Sequence, residues 1–176
     1  MRIIAGEWKG RRLKAIRGRK IRPTTDRIRE AWMAAVGPEV VGARVLDLFA
    51  GSGALGLEAL SRGAREAVFV EKVRGAVRVL EQNLELVGAG DRARVVLMDA
   101  YRFLDREAGT GEFDLAFADP PYGQGHANRL LLRFLNDPFA NALWVEHRST
   151  DSVPASPELI QRRYGDTVLT IATRDE

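Results

Sequence analysis

The chain has 176 residues, of which 45% are hydrophobic and 29% charged, so it is long enough for one well-buried core and too short for two ordinary domains. It contains no cysteine and only two histidines, His126 and His147, which excludes disulfides and a thiol nucleophile and argues against a zinc site built from protein ligands alone. No apolar stretch approaches the roughly 18 residues that span a bilayer, and the first residues lack the apolar region of a signal peptide. We therefore expect a cytoplasmic, monomeric protein with no membrane segment and no metal.

The net charge of +3 is unevenly distributed. Residues 1–32 hold eleven Lys and Arg against three Asp and Glu, whereas the remaining 144 residues hold sixteen against twenty-one. Clustered positive charge is typical of nucleic-acid binding, although a solvated basic surface has the same composition. We predict that residues 1–37 form a basic RNA-binding extension, not an independent domain, and that residues 38–176 form the catalytic domain.

The first elements in chain order are a hairpin and a helix. The hairpin is predicted to pair residues 2–5 with 11–16 across a turn at Gly6–Gly10. The helix follows, with Thr24 or Thr25 as its cap and Gly37-Pro38 as its end. Its apolar residues at helical spacing, among them Trp32, are predicted to face the core.

From residue 44 the chain alternates between short apolar runs and helix-like stretches. The strand-like runs are 44–49, 66–71, 93–98, 113–118 and 142–146, and the helix-like stretches are about 54–62, 73–87, 100–108 and 125–136. This alternation predicts an α/β fold, with a mostly parallel twisted sheet and helices on both faces. Residues 159–164 and 167–173 flank Gly165-Asp166 and predict a C-terminal antiparallel hairpin.

Acidic residues fall at or near the carboxyl ends of four predicted strands. They are Asp47, Glu71, Asp99 and Asp119. Ligands of open α/β sheets bind beyond this edge, although any one of these carboxylates could instead cap a helix or end a strand in solvent. Four in series indicate a binding site.

A glycine-rich segment, FAGSGALG, follows the first of these acidic residues. Its glycines fit G-x-G-x-x-G, and Glu71 lies twenty residues after the first of them, a pattern shared with dinucleotide-binding proteins. A dinucleotide would bring its pyrophosphate near Asp47, and like charges about 4 Å apart repel by roughly 4 kcal/mol at an effective dielectric near 20. S-adenosylmethionine has no phosphate and carries two cationic groups, so we expect it as the cofactor, with Glu71 on the ribose and Asp99 on the adenine amine.

Together, LDLFAGSGALGLEAL, Glu71, Asp99 and DPPY resemble class I S-adenosylmethionine-dependent methyltransferases over roughly residues 40–173. RIIAGEWKGRRL followed by IRPTTDRIREAWM narrows the resemblance to the bacterial ribosomal RNA small subunit methyltransferase D family, which methylates a guanine N2 in 16S RNA. Many enzymes share the glycine motif and other amino-group methyltransferases share DPPY, so RPTTDR is the specific part. The resemblance implies a Rossmann-like fold, and 16S ribosomal RNA or a small-subunit assembly particle as partner.

The resemblance also implies three sets of site residues. The cofactor set is Asp47, Phe49, Gly51, Ser52, Gly53, Glu71, Lys72, Asp99, Ala100 and Asp119. The catalytic set is Asp119, Pro120, Pro121 and Tyr122. The RNA-binding set is Lys9, Arg11, Arg12, Arg17, Arg19, Lys20, Arg22 and Arg27.

The DPPY turn is predicted to clamp the target amine. Each proline restricts the residue before it to extended geometry and keeps a free carbonyl, so Asp119 and the Pro120 carbonyl can face one NH₂ group. The ring of Tyr122 is predicted to stack on an unpaired base, and only the ring has a predicted role. Neither histidine is expected to be catalytic.

Three other functions share some of these features. An enzyme acting on DNA amines would carry the same two motifs but often adds a recognition domain, for which this chain has no room. A protein-glutamine methyltransferase more typically has Asn in place of Asp119 and needs no basic extension. A non-catalytic RNA-binding module would have no need of an intact DPPY turn.

Overall fold

The computed structural model describes residues 1–16, 25–107 and 113–174. Its helices are α1 (Thr25–Val36), α2 (Ala54–Ser61), α3 (Arg74–Val87), α4 (Ala100–Glu107) and α5 (His126–Asn136), with 3₁₀ turns at Gly37–Val40 and Gly90–Arg92. Its strands are β1 (Arg44–Leu48), β2 (Glu66–Glu71), β3 (Ala93–Leu97), β4 (Leu115–Ala118), β5 (Ala142–Arg148), β6 (Leu159–Tyr164) and β7 (Thr167–Thr173). The helices and strands predicted from residue 44 onward are confirmed to within two residues at their ends.

The seven strands form one sheet in the order β3-β2-β1-β4-β5-β7-β6. The first five strands in this order are parallel, and β7 is antiparallel to both β5 and β6. The predicted parallel sheet with a C-terminal antiparallel hairpin is therefore confirmed. Because β1 lies between β2 and β4, the carboxyl ends of four parallel strands meet around it.

Alternating side chains of the strands divide the core into two layers. In β1, Val45 belongs to one apolar cluster, whereas Leu46 and Leu48 belong to the other. Helices α1, α2 and α3 cover the first layer, and α4 and α5 cover the second. Trp32 of α1 is fully buried and packs edge-on against Phe117 at 5.7 Å between ring centroids, which confirms it as a core residue.

The N-terminal hairpin is much less regular than predicted. The structure forms only one isolated antiparallel bridge, between Arg2 and Arg12, where two strands were expected. Ile3, Gly10 and Leu13 donate across the hairpin, but other backbone donors go to α2. Ile4 and Ala5 donate to the carboxylate of Glu58, and Glu7 donates to the carbonyl of Ser61.

Gly6 permits this close approach between the N-terminal segment and α2. It has φ = +85°, and a Cβ atom added there would lie 1.8 Å from the carbonyl oxygen of Ser61. Residues 1–16 also supply apolar side chains to the first core layer, since Ile3, Trp8 and Leu13 are all buried. The N-terminal segment is thus packed on the body, while the division of roles at residue 37 remains a prediction.

Candidate active site

Four carboxylates lie along the carboxyl edge of the central strands. The strand order places them in the sequence Asp99, Glu71, Asp47, Asp119, from the end of β3 to the end of β4. Both Asp119 and Glu71 lie close enough to Asp47 to raise its pKa by charge repulsion. The structure therefore brings together the acidic residues that the sequence places at this edge.

Asp47 is the buried member of this group, with 1% of its surface exposed. One of its oxygens accepts a hydrogen bond of 2.9 Å from the backbone N–H of Gly56 in the first turn of α2. Burial raises its pKa to about 7, and the two neighbouring carboxylates add to this, while the Gly56 bond opposes it. Asp47 is therefore only partly ionised near neutral pH, so it would repel a pyrophosphate less strongly than a fully ionised carboxylate would. A cationic ligand nearby would favour its ionised form.

The glycine-rich loop runs in left-handed backbone conformations. Phe49 and Gly51 both have φ = +58°, and Gly53 has φ = +84°. Phe49 is the single non-glycine residue with positive φ in the described part of the chain, and such strain clusters at functional sites. The glycine at position 56 has a packing role, because a Cβ there would lie 2.3 Å from the ring of Phe69.

Glu71 fixes the shape of this loop from the neighbouring strand. Its two oxygens accept hydrogen bonds from the backbone N–H groups of Gly51, at 2.9 Å, and Val73, at 2.8 Å. A carboxylate offers about four acceptor positions, so these two bonds are compatible with the predicted contacts to ribose hydroxyls.

Asp99 caps helix α4. One of its oxygens accepts from the backbone N–H of Tyr101 at 3.0 Å and from that of Arg102 at 3.3 Å. The cap is the alternative that the sequence left open for these acidic residues, and it uses one oxygen of the two. Ala100, also in the predicted cofactor set, is buried at the start of the same helix.

Asn83 holds the remaining part of the loop and was not identified from the sequence. It is fully buried on α3, and its amide donates to the carbonyls of Ser52 and Lys14, both at 3.0 Å. Its oxygen accepts from the Lys14 N–H at 2.7 Å. A single side chain therefore connects the N-terminal segment with the glycine-rich loop. Lys72, another predicted cofactor residue, is exposed directly after β2.

The DPPY turn leaves β4 at the edge of a cavity of about 520 Å³. Pro120 is buried and Asp119 is exposed. The hydroxyl of Tyr122 donates a short hydrogen bond to the carboxylate of Glu146, and the Arg148 guanidinium lies 5.2 Å from the centre of the Tyr122 ring. The tyrosine hydroxyl thus has a partner that the sequence did not indicate.

Both histidines have structural partners. Nδ1 of His147 lies 2.9 Å from the Arg148 carbonyl, to which it donates, and Nε2 lies 2.7 Å from the Thr170 hydroxyl. Nδ1 of His126 lies 2.8 Å from the hydroxyl of Tyr101. Burial raises the pKa of Tyr101 to about 12 and lowers the pKa of His126, so the hydroxyl donates to a neutral ring.

The basic residues divide into two groups. Lys9, Arg11, Arg12 and Arg27 are exposed, as a binding surface requires. Arg17, Arg19, Lys20, Arg22 and the proposed cap Thr24 lie outside the described residues.

Membrane-spanning helices and metal-binding groups were both sought in the described ranges of the chain. No helix in them is long and apolar enough to cross a bilayer. They also hold no group of three or more His, Asp and Glu side chains arranged to bind a metal ion.

The strand order, the reversed last strand and the acidic edge are those of a class I methyltransferase fold. The chain matches the family described as "Conserved hypothetical protein 95" over residues 1–173, and it belongs to that family. It is 46% identical to ribosomal RNA small subunit methyltransferase D of Escherichia coli K12 over 125 residues, which is 71% of this chain and 62% of that relative.

Solved structures agree with this assignment. A hypothetical protein of Thermus thermophilus superposes with a TM-score of 0.84 at 34% identity, over 99% of both chains. The T. thermophilus 16S rRNA N2 G1207 methyltransferase, solved with S-adenosylmethionine and guanosine, gives a TM-score of 0.67 at 24% identity over 90% of this chain and 45% of that one, and it shows the shared fold.

The cofactor of this family of methyltransferases is S-adenosylmethionine, and the acidic edge fits it. The carboxylates at the ends of β1 and β2 suit its cationic groups and its ribose, and Glu71 and Asn83 hold the backbone of the loop beside them. Which individual residues contact the cofactor remains a prediction.

Proposed function

We propose that this protein transfers a methyl group from S-adenosylmethionine to the exocyclic N2 amine of a guanine in 16S ribosomal RNA. The observation that carries the proposal is the position of the DPPY turn. It lies between the acidic edge that suits the cofactor and a cavity of about 520 Å³ large enough for a base. The name of the E. coli relative supports ribosomal RNA as the substrate.

The residues of the turn would assist an unreactive amine. The lone pair of a guanine N2 is delocalised into the ring, and the cofactor supplies an electrophilic methyl group on a sulfonium. Asp119 and the Pro120 carbonyl accept hydrogen bonds from the two N–H groups, which favours the pyramidal nitrogen that develops in the transition state. The proton lost from the methylated nitrogen leaves to water or to Asp119.

The setting of this reaction is also part of the proposal. We place it in the cytoplasm, on ribosomal RNA or on a partly assembled small subunit, with a monomeric enzyme that needs no metal. The exposed side chains of Lys9, Arg11, Arg12 and Arg27 would hold the RNA backbone.

The test is a methylation assay followed by digestion of the product. The enzyme is incubated with labelled S-adenosylmethionine and one substrate at a time. The substrates are unmethylated 16S RNA, small subunits lacking the modification, duplex DNA and a protein extract. We expect N2-methylguanosine in the digested RNA. A labelled DNA amine or protein glutamine as the sole product would replace this proposal by the corresponding methyltransferase, and no labelled product from any substrate would favour the non-catalytic RNA-binding module.

Variants of Asp119 make the same assay specific for the turn. Asp119→Ala should slow single-turnover transfer on the order of 10²–10³-fold, the typical effect of removing one preorganised transition-state partner. Asp119→Asn keeps one acceptor oxygen and should retain more activity. Asp91→Ala, in an exposed 3₁₀ turn, is the control and should be as active as the wild type. Normal transfer by Asp119→Ala would remove Asp119 from the site.

A further inference from the structure

We propose that Glu146 is the residue that selects guanine, by accepting a hydrogen bond from the N1–H next to the target amine. This inference rests on the proposed function and adds to it a specificity-determining residue. Glu146 is not part of any motif in the sequence. Its position in the sheet and its surroundings carry the argument.

The register of the sheet places Glu146 beside the DPPY turn. Strands β4 and β5 are parallel, and Ala118 is paired with Val145. The next residues along the two strands are therefore neighbours, Asp119 on one and Glu146 on the other. Adjacent strands lie about 4.8 Å apart, so these two acidic residues stand side by side at the same level of the sheet.

Glu146 is also held within the cavity that the turn borders. It is 9% exposed, and it lines the cavity together with Pro120, Pro121 and Tyr122. The hydroxyl of Tyr122 donates to one of its oxygens. A carboxylate accepts up to about four hydrogen bonds, so a bond to the tyrosine and a bond to a base are compatible. Glutamate is rarely buried unless it is paired, and the Tyr122 hydroxyl, itself part of the DPPY turn, is a partner that holds this carboxylate at the cavity.

The chemistry of the bases makes such a carboxylate selective. Guanine presents two neighbouring donor groups, the N2 amine and the N1–H. Adenine and cytosine present an amine beside a ring nitrogen that is an acceptor, and an acceptor facing a carboxylate is repelled. With Asp119 and Pro120 on the amine and Glu146 on the neighbouring position, the site matches guanine and rejects the other two bases that carry an amine.

The test compares two bases and two enzymes. The substrate is an RNA spanning the methylated guanine, located first in fragments of the labelled 16S RNA, with either guanine or 2-aminopurine at that position. 2-Aminopurine keeps the amine at position 2, but its N1 is an acceptor. The two amines differ in intrinsic reactivity, yet that difference is the same for both enzymes, so a change in the ratio of kcat/KM values reports on the protein.

For the wild type, guanine should be preferred, and Glu146→Gln should reduce that preference about 10- to 100-fold, the effect of one hydrogen bond to a charged group. The glutamine amide can donate to N1 of 2-aminopurine while its oxygen still accepts from the Tyr122 hydroxyl. Glu158→Gln, in an exposed loop, is the matched control and should leave the ratio unchanged. A purely structural role for Glu146 predicts equal losses on both bases, and an unchanged ratio would overturn the inference.

A second measurement needs only the wild-type enzyme, so it decides the question even if Glu146→Gln does not fold. An RNA with inosine at the site has the N1–H but no amine. The bonds from the amine to Asp119 and Pro120 strengthen mainly in the transition state, so their loss should weaken binding only slightly, and the inosine RNA should compete with the guanine RNA nearly as well. The 2-aminopurine RNA should compete about 10- to 100-fold less well. The opposite order of competition would refute the role of Glu146. Failure of the proposed function looks different, because the wild type would then form no N2-methylguanosine.

Discussion

At the scale of single residues, Asp47 is the most buried of the four carboxylates at the acidic edge, and its pKa is strongly shifted. Its pKa is raised from 3.8 to about 7, first by burial and then by Asp119 and Glu71. An acid with a higher pKa in the folded than in the unfolded state binds more protons when folded, so the free energy of unfolding falls as the pH rises between these two values. Asp47 therefore lowers the stability of the cofactor-free protein at neutral pH.

Asp47→Asn should remove this dependence. Asparagine keeps an oxygen that can accept from the Gly56 N–H. The difference in the free energy of unfolding, variant minus wild type, should therefore be about 2–3 kcal/mol larger at pH 8 than at pH 5. Urea unfolding of the cofactor-free proteins at both pH values measures this, with the exposed Asp91→Asn as control. The same difference at pH 5 and pH 8 would mean that Asp47 does not titrate in this range.

If Asp47 binds the cofactor, the affinity for S-adenosylmethionine should depend on pH in the opposite direction to the stability. A cationic ligand favours the ionised carboxylate, so S-adenosylmethionine should bind the wild type more tightly as the pH rises through about 7. Asp47→Asn should bind more weakly and with little pH dependence. One residue would then lower stability in the free protein and raise affinity for the cofactor.

At the scale of elements, α2 serves both the site and the N-terminal segment. Its first turn donates to Asp47, and its last turns hold the fully buried Glu58. Glu58 accepts from the backbone of Ile4 and Ala5, at 2.9 and 3.0 Å, and from the Arg62 guanidinium at 2.9 Å. This short helix therefore links the cofactor loop to residues 1–16.

Removing Glu58 should destabilise the protein strongly. Glu58→Ala leaves the backbone donors of Ile4 and Ala5 without their acceptor, and it leaves Arg29, which is 4% exposed and 3.7 Å from Glu58, without that carboxylate. We expect a loss of about 3–5 kcal/mol in urea unfolding. Hydrogen exchange adds a local readout, because the amides of Ile4 and Ala5 should lose protection. Glu81→Ala, exposed on α3, should have little effect, and a similarly small effect of Glu58→Ala would contradict this role.

The elements themselves could be predicted because their signals are local. An apolar run predicted β2 with its observed bounds, and the turn signal Gly165-Asp166 predicted β6 and β7 with theirs. The position of β7 between β5 and β6 has no such local signal. The same limit applied to the N-terminal hairpin, whose strand pairing was overestimated because the backbone donors of Ile4, Ala5 and Glu7 bind α2 instead.

The residues that hold the site together were missed for a related reason. Glu58 bonds to the backbone 54 residues earlier in the chain, and Asn83 to a segment 69 residues earlier. In the sequence, both resemble the solvent-facing polar residues of an amphipathic helix. The motif residues, in contrast, were found because the loop and turn chemistry that they require appears within a few positions of the chain.

At the scale of the whole molecule, the N-terminal segment combines a core function with a basic surface. Ile3, Trp8 and Leu13 are buried in the first core layer, while Lys9, Arg11 and Arg12 point to solvent between them. Deleting the segment would therefore remove core side chains together with charge. The charge must be changed at the surface alone if its role in RNA binding is to be measured.

Replacing Lys9, Arg11 and Arg12 together by Gln should weaken RNA binding mainly at low salt. If each side chain contacts one phosphate, the slope of log affinity against log salt should become less steep by about two to three, since each contact contributes roughly 0.7–0.9. The measurement is a salt titration with a 16S RNA fragment. Calorimetry with S-adenosylmethionine should show unchanged cofactor affinity, because no predicted cofactor residue is altered.

The matched control removes the same charge from residues outside the N-terminal segment. Arg65, Arg94 and Arg174 are exposed near the amino-terminal ends of β2 and β3 and after the end of β7, away from the acidic edge. Their replacement by Gln lowers the net charge equally, so long-range attraction to RNA falls by a similar amount in both variants. Direct phosphate contacts are lost only in the variant of Lys9, Arg11 and Arg12. A salt slope reduced to the same extent in both variants would show that the N-terminal residues act through overall charge and make no phosphate contacts of their own.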